Sequence, residues 1–238
     1  MLKNIDLTLK MGNDEYEKLL PGKQLEMIHL QQRLRERQLP VIIMYEGWDA
    51  AGKGGNILRL TEKLDPRGYR VYPIGPPTEV ESHHTYLWRF WINEPEKGQI
   101  VIFDRSWYGR VLVERVEKFT QEADWNRAYD EIDAFEEYLV GNGVILIKFF
   151  LHISKDEQKK RFDDRKSDPF KQYKITEDDW RNREKWDQYL EATEDMLKRT
   201  SLGSNPWTIV PAECKKYARI FTLDVVIKTL SDKLKKKH

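Results

Sequence analysis

Five short runs set most of what this chain can become: VIIMYE (41–46), YRVYPI (69–74), QIVIFD (99–104), VILIKFFLHI (144–153) and WTIVPA (207–212). They are rich in β-branched and aromatic residues, and Pro, Gly, Asp or Ser stands at their ends. Near-continuous apolar runs such as VIIMYE are how strands buried on both faces of a parallel sheet read. Helical segments alternate with them. One spans Lys53 to about Leu64 and stops at the turn DPRG. ESHHTYLWRFW (81–91) is expected to be a second, broken by NEPEKG, and ADWNRAYDEIDAFEEYLV (123–140) a third. Ser154 with Glu157 forms a capping box for the next. Thr176 caps EDDWRNREKWDQYLEATEDMLKR (177–199), and a last helix starts near Lys216. Ahead of the first strand, Leu25, Ile28, Leu30 and Leu34 predict an amphipathic helix over 23–38, ended by Pro40, with Met1–Gly22 irregular. Strand–helix alternation of this kind implies an α/β fold, a parallel sheet with helices on both faces. Ligands in such sheets sit at the carboxyl ends of the strands.

No linker divides the 238 residues, which read as an N-terminal segment and helix (1–39) and one domain (40–238) carrying a lid over about 159–185. With 34% charged residues but a net charge of only +1, nothing marks a nucleic-acid binder; the closing KLKKKH reads as a solvated helix end. No apolar run approaches the roughly 20 residues that span a bilayer, so no membrane partner is expected. The N-terminus is too polar for a signal peptide. The single cysteine, Cys214, excludes an internal disulfide, has no Cys/His companions for zinc, and fits a reducing, cytoplasmic setting.

The turn after the first run, GWDAAGKGG, has the G-x-x-x-x-G-K spacing of a phosphate-binding loop in Gly47, Gly52 and Lys53. It follows a strand and opens a helix, the context that supports the reading. Backbone amides around Ala50, Ala51, Gly52, Gly54 and Gly55 would face phosphate oxygens, helped by the field of the helix N-terminus. Lys53 would reach the terminal phosphates. Two features depart from the common loop. Gly54 stands where Ser or Thr normally touches a metal, and Asp49 puts an anion among anions. A carboxylate there is tolerable if a cation lies between, so Asp49 is a candidate ligand for a divalent metal; the alternative is that it caps amides of its own loop.

QIVIFDR ends its strand in Asp104, the Walker-B position that orients Mg²⁺, with Arg105 next in line. Asp49 and Asp104 together form an oxygen-rich pair of the kind Mg²⁺ uses. Arg110 suits substrate phosphate or an ion pair with Glu114, one helical turn on. The segment KKRFDDRKSDPFKQYK (159–174) is a candidate lid, with Arg161, Arg165, Lys166, Lys171 and Lys174 as its cations; its solvated-face alternative stays open. Arg161 and Arg165 are four apart and can share a helix face. Arg89 lies in the aromatic stretch HHTYLWRFW and needs a nucleotide phosphate or an acidic neighbour if buried. Trp88, Phe90 and Trp91 are expected to pack, and His83/His84 do not make a metal pair. Trp180 and Trp186 suit either core or a subunit contact.

The stretches EGWDAAGKGG, DPRGYRV, HHTYLWRFW, FDRSWYGRVLVERVE, LHISKDEQKKRF and DDWRNREKWDQY resemble the polyphosphate kinase 2 family over roughly Pro40–Asp224. The resemblance implies a three-layer α/β/α sandwich, a P-loop kinase fold like that of thymidylate kinases, with a helical lid. It implies inorganic polyphosphate as phosphoryl donor. Metal falls at Asp49 and Asp104, and phosphate contacts at Lys53, Arg105 and Arg165. Lid cations line the polyphosphate track. The ion expected is Mg²⁺, with Mn²⁺ as the alternative, and the assembly a homo-oligomer, dimer or tetramer. The similarity is to the branch that phosphorylates AMP to ADP, some members of which carry two such domains. The competing readings are a polyphosphate-dependent ADP or GDP kinase, or a reversible one that phosphorylates both mono- and diphosphates, with GMP and GDP as further nucleotide partners; an ATP-dependent nucleoside monophosphate kinase; and a nucleotide-binding module without turnover.

Overall fold

All five runs are strands in the computed structural model, which describes residues 1–201 and 205–235. They are β1 (Val41–Gly47), β2 (Tyr69–Pro73), β3 (Ile100–Asp104), β4 (Ile145–His152) and β5 (Trp207–Pro211). Every pairing is parallel, in the order β2-β3-β1-β4-β5. β1 and β4, the central pair, are buried along nearly their whole length. The ten α-helices among the described residues are α1 (Asn13–Glu36), α2 (Lys53–Thr61), α3 (Glu79–Ser82), α4 (Trp88–Trp91), α5 (Val113–Val116), α6 (Glu122–Gly141), α7 (Lys155–Ser167), α8 (Glu177–Glu184), α9 (Trp186–Arg199) and α10 (Lys215–Lys235).

Adjacent β4 residues show that both faces are covered. Lys148 sends its ammonium to Glu136 of α6 at 2.6 Å. Phe149 points the other way and packs on Tyr45, whose hydroxyl lies close to Thr222 of α10. Lys148 is 2% exposed and also donates to the Tyr108 hydroxyl and the Thr200 carbonyl. This fully bonded buried pair braces the segment after β3 against α6 and the end of α9, where one lost partner would leave an uncompensated charge.

Four local expectations change. Helix α1 begins at Asn13, ten residues early, with Pro21 inside it. Packing overrides propensity there: Tyr16, Met27, Leu30 and Leu34 are buried, and Gln24 bonds the Arg59 carbonyl of α2. The aromatic stretch makes two short helices, because the box of Thr78 with Glu81 starts α3 early and α4 restarts at Trp88. The helix expected over 177–199 breaks at Lys185 into α8 and α9. The Ser154 box is half made: Ser154 accepts the Glu157 N–H, but the Glu157 carboxylate turns to Arg161 at 2.6 Å. Of KLKKKH, residues 236–238 lie outside the described residues. No described helix is long and apolar enough to cross a membrane.

Candidate active site

The loop leaves β1 at Gly47, where the chain runs against β4. A Cβ there would stand 2.4 Å from the Leu151 carbonyl oxygen, and φ is +137°, so only glycine fits. Trp48 fastens the loop: its indole N–H donates to His152 Nδ1 at 2.9 Å, and its ring stacks on Trp186 of α9 at 3.9 Å. Trp186 is thus core; Trp180 packs edge-on against Phe162.

Five consecutive loop carbonyls are held by side chains. Lys53 Nζ takes those of Gly47 (2.8 Å) and Trp48 (3.2 Å). The Gln158 amide takes that of Asp49, and Arg161 Nη1 takes those of Ala50 and Ala51. Across a planar trans peptide the N–H points opposite to the C=O. The N–H that follows each held carbonyl therefore points away from the side chain that holds it. Among the described residues, the N–H groups of Asp49, Ala50 and Gly52–Gly55 have no backbone acceptor. That is a nest of donors at the start of α2, whose first turn contains no acid.

Arg161 is accordingly not a lid cation. It is 3% exposed, and its five N–H groups go to Glu157, Ala50, Ala51, Ala212 and Glu213. It ties the loop to α7 and to the turn before α10. The other lid cations are spread differently. Arg165 bonds only the Lys174 carbonyl, at 3.1 Å, and its charge helps keep Asp49 ionised. Lys166 lies over the Trp180 ring, Lys171 pairs with Asp168, and Lys174 lies over Tyr173. Arg89 takes the acidic neighbour, Glu81, at 3.2 Å, together with the Gly75 carbonyl. Arg110 pairs with Glu114 at 2.8 Å, bonds Thr120, and covers Tyr86. Both arginines thus have acidic protein partners, and each also keeps a buried Nε without a hydrogen-bond acceptor.

Asp49, Lys53, Asp104 and Arg105 do converge. Asp49 Oδ1 accepts from Arg105 at 2.8 Å, and Oδ2 from Asn182 of α8 at 3.0 Å. Burial opposes the Asp49 charge, but the Arg105 guanidinium and Lys53 ammonium outweigh it and hold the carboxyl below its usual range. Burial, with Arg105 adding to it, lowers the Lys53 pKa against the pull of Asp49, Asp104 and Glu46. Burial likewise works against Arg105, and Asp49, Glu46 and Asp104 raise it overall. Asp104 Oδ2 sits 3.9 Å from where a Cβ on Gly54 would be. The acid thus borders the place of the missing hydroxyl.

The donor set suits a divalent cation such as Mg²⁺. No cluster of three or more His, Cys, Asp or Glu side chains among the described residues forms a closed cage. Asp49 and Asp104 would supply two carboxylates and leave room for phosphate oxygens and water, the kind of ligands Mg²⁺ prefers.

Sequence reasoning missed several participants. Gln158 and Asn182 gave no signal. Asn182 and Arg183 lay α8 on the loop, the latter through the Lys155 carbonyl and Gln158. Glu117 holds the α8–α9 junction through Lys185, Arg181 and Tyr189. Arg219, in the first turns of α10, stands 3.3 Å from a Cβ built on Gly55. Lys215, one turn before it, has its pKa lowered by burial and then by Arg161. Neither has a carboxylate within salt-bridge distance among the described residues. The spacing of Lys215 and Arg219 was the available signal.

A family model described as polyphosphate kinase 2 matches residues 10–238. A polyphosphate:AMP phosphotransferase of Pseudomonas aeruginosa is 50% identical over 98% of the chain. The chain spans 46% of that relative's length. An ADP-polyphosphate phosphotransferase of Rhizobium meliloti is 40% identical over 86% of the chain and 72% of the relative. The crystal structure of a polyphosphate kinase 2 from Arthrobacter aurescens superposes with a TM-score of 0.93 at 32% identity, covering 98% of this chain and 85% of that one. With the family model matching nearly its whole length, the chain belongs to the polyphosphate kinase 2 family.

Proposed function

We propose that this chain transfers the terminal phosphoryl group of inorganic polyphosphate to a nucleoside monophosphate, converting AMP to ADP. The observation that carries the proposal is the run of loop N–H groups without backbone acceptors, Asp49, Ala50 and Gly52–Gly55 among the described residues, with Lys53, Asp104 and Arg105 beside it. An oxygen of the AMP phosphate attacks the terminal phosphorus. The bridging P–O bond breaks, and its electron pair leaves with the shortened polyphosphate. Lys53 exchanges its loop carbonyls for phosphate oxygens, and Arg105 and Arg165 neutralise the charge spread over the group in flight. Positioning and electrostatics carry such a reaction, and no covalent enzyme intermediate is needed. Asp49 and Asp104 would hold Mg²⁺ or Mn²⁺, which when bound supplies further charge neutralisation. Asn182 and α8 close over the loop and exclude water, which would otherwise compete with AMP. The unpaired Lys215 and Arg219 lead the donor chain away past Gly55. AMP is favoured as acceptor by the 50% identity to a polyphosphate:AMP phosphotransferase.

The setting proposed is the cytoplasm, in keeping with the free thiol of Cys214. The exposed Val80, Trp91 and Ile92 support a homo-oligomer, which sedimentation velocity measures.

The test is nucleotide product after incubation with polyphosphate and Mg²⁺, with AMP and ADP offered separately and ATP absent. ADP formed from AMP well before ATP forms from ADP is the expected result. Fast ATP from ADP favours the diphosphate-kinase alternative. Activity with ATP as the only effective donor, or no transfer from any donor, overturns the proposal.

A further inference from the structure

Glu46 is the residue before Gly47, and none of the roles above uses it. Its side chain belongs to a residue only 5% exposed, at the floor of the cleft. Such a site is an unfavourable place for a carboxylate unless a specific partner requires one. The partner is Ser106. Glu46 Oε1 accepts the Ser106 backbone N–H and the Ser106 hydroxyl, both at 2.8 Å.

Ser106 directly follows Arg105, whose φ is +69°. That is the left-handed region, which side-chain-bearing residues adopt only when their surroundings impose it. Two consecutive β1 residues impose it here. Tyr45 accepts the Arg105 N–H through its carbonyl at 2.9 Å, and Glu46 holds the residue after. The turn between them sends the guanidinium across to Asp49. Without the Ser106 bonds, Arg105 would relax towards an ordinary backbone conformation and its side chain would leave the phosphate site.

The geometry points to Glu46 as a positioning residue that clamps Ser106 and thereby aims Arg105 at the phosphate being transferred. The inference rests on the proposed function. It assigns Glu46 no contact with substrate.

A double-mutant cycle tests it, read in two ways: kcat and KM with AMP and polyphosphate, and binding of tripolyphosphate by calorimetry. Glu46→Ala is expected to lower kcat about ten- to a hundred-fold, the scale of a misplaced catalytic group, with the KM for AMP nearly unchanged. Glu46→Gln keeps an acceptor for both Ser106 donors and is expected to stay within about three-fold of wild type. In an Arg105→Ala background, Glu46→Ala is expected to add almost nothing, because the residue it positions is gone. Should Glu46→Ala not fold, Ser106→Ala removes one of the two bonds and enters the cycle instead, with a several-fold loss that Arg105→Ala again absorbs. Additive losses overturn the inference, as does a Gln variant as impaired as Ala. A wild type that binds tripolyphosphate with a non-additive cycle but transfers no phosphoryl group upholds the positioning role and refutes the proposed function instead.

Discussion

Replacing Arg161 by Met separates a brace from a substrate ligand. The guanidinium donates to the Ala50, Ala51, Ala212 and Glu213 carbonyls and to Glu157, from a residue 3% exposed. Met keeps the apolar stem and removes all five N–H groups. Each buried acceptor left unpaired costs about 1–3 kcal/mol. Their simple sum overshoots, because the loop relaxes and water reaches some of them. Breaking a buried ion pair from one side costs about 3–5 kcal/mol, and we take that as the expected loss. For a chain of this size each kcal/mol moves the midpoint by about 2–4 °C, so the variant should melt roughly 6–20 °C below wild type. Urea unfolding followed by tryptophan fluorescence gives the same quantity, with the Trp48–Trp186 stack reporting on the loop itself. Arg165→Met is the control. Its one bond, to the Lys174 carbonyl, is exposed, so stability should stay within about 0.5 kcal/mol while turnover falls. Arg161→Met melting with wild type, while raising the KM for polyphosphate, would refute the reasoning and return Arg161 to the lid.

Three other outcomes are expected. Arg219→Ala and Lys215→Ala should each raise the KM for long-chain polyphosphate about ten-fold, roughly the effect of one lost charge-assisted contact, and leave that for AMP unchanged; initial rates against donor length measure it, and an equal effect from Lys171→Ala would place the track on the lid. Gly47→Ala should yield little folded protein, since the methyl would meet the Leu151 carbonyl at 2.4 Å in a backbone at φ +137°; circular dichroism of the soluble fraction checks this. Burial lowers the His152 pKa below its ordinary 6.5, against the raising influence of Glu213 and Glu194. The unfolded chain therefore binds that proton first as pH falls. Stability from this group is complete above about pH 6.5 and declines below it until the folded pKa is passed, a slope that His152→Gln should remove from urea midpoints measured between pH 7.5 and 5.

The strands were legible because burial on both faces leaves a continuous apolar signature, and no other pattern in the chain competes with it. The loop was legible for a different reason: Gly47, Gly52 and Lys53 answer to local backbone geometry, which spacing records. Asp104 and Arg105 were readable from their place at a strand end. Arg161 misled because sequence shows a basic run but not which member points inward. Only the fold brings the carbonyls of Ala212 and Glu213 to it. Arg89 and Arg110 left alternatives, and the structure shows the acidic partners, Glu81 and Glu114. Start sites of helices were the weakest part, since Pro21 in α1 is tolerated only because α2 and α10 cover the helix. Asn182 and Gln158 meet the loop through contacts between segments far apart in the chain, and such contacts leave no local pattern.

The acid in the loop also follows from charge balance. Asp49 stays ionised though nearly buried because Arg105, Lys53 and Arg165 surround it. Those are the cations a phosphate chain would recruit. When their charge turns to phosphate, Asp49 faces a polyanion across a water-poor cleft with its compensation reduced, and repulsion there is stronger than in bulk water. The carboxylate then either takes up a proton or acquires another cation. Protonation would leave a weak ligand and an ordinary loop with a superfluous acid. A divalent cation held by Asp49 and Asp104 would restore the balance. On the proposed function, Asp49 and Gly54 would then be one feature: with a glycine at 54, a loop carboxylate would take the part of the usual hydroxyl in holding such an ion.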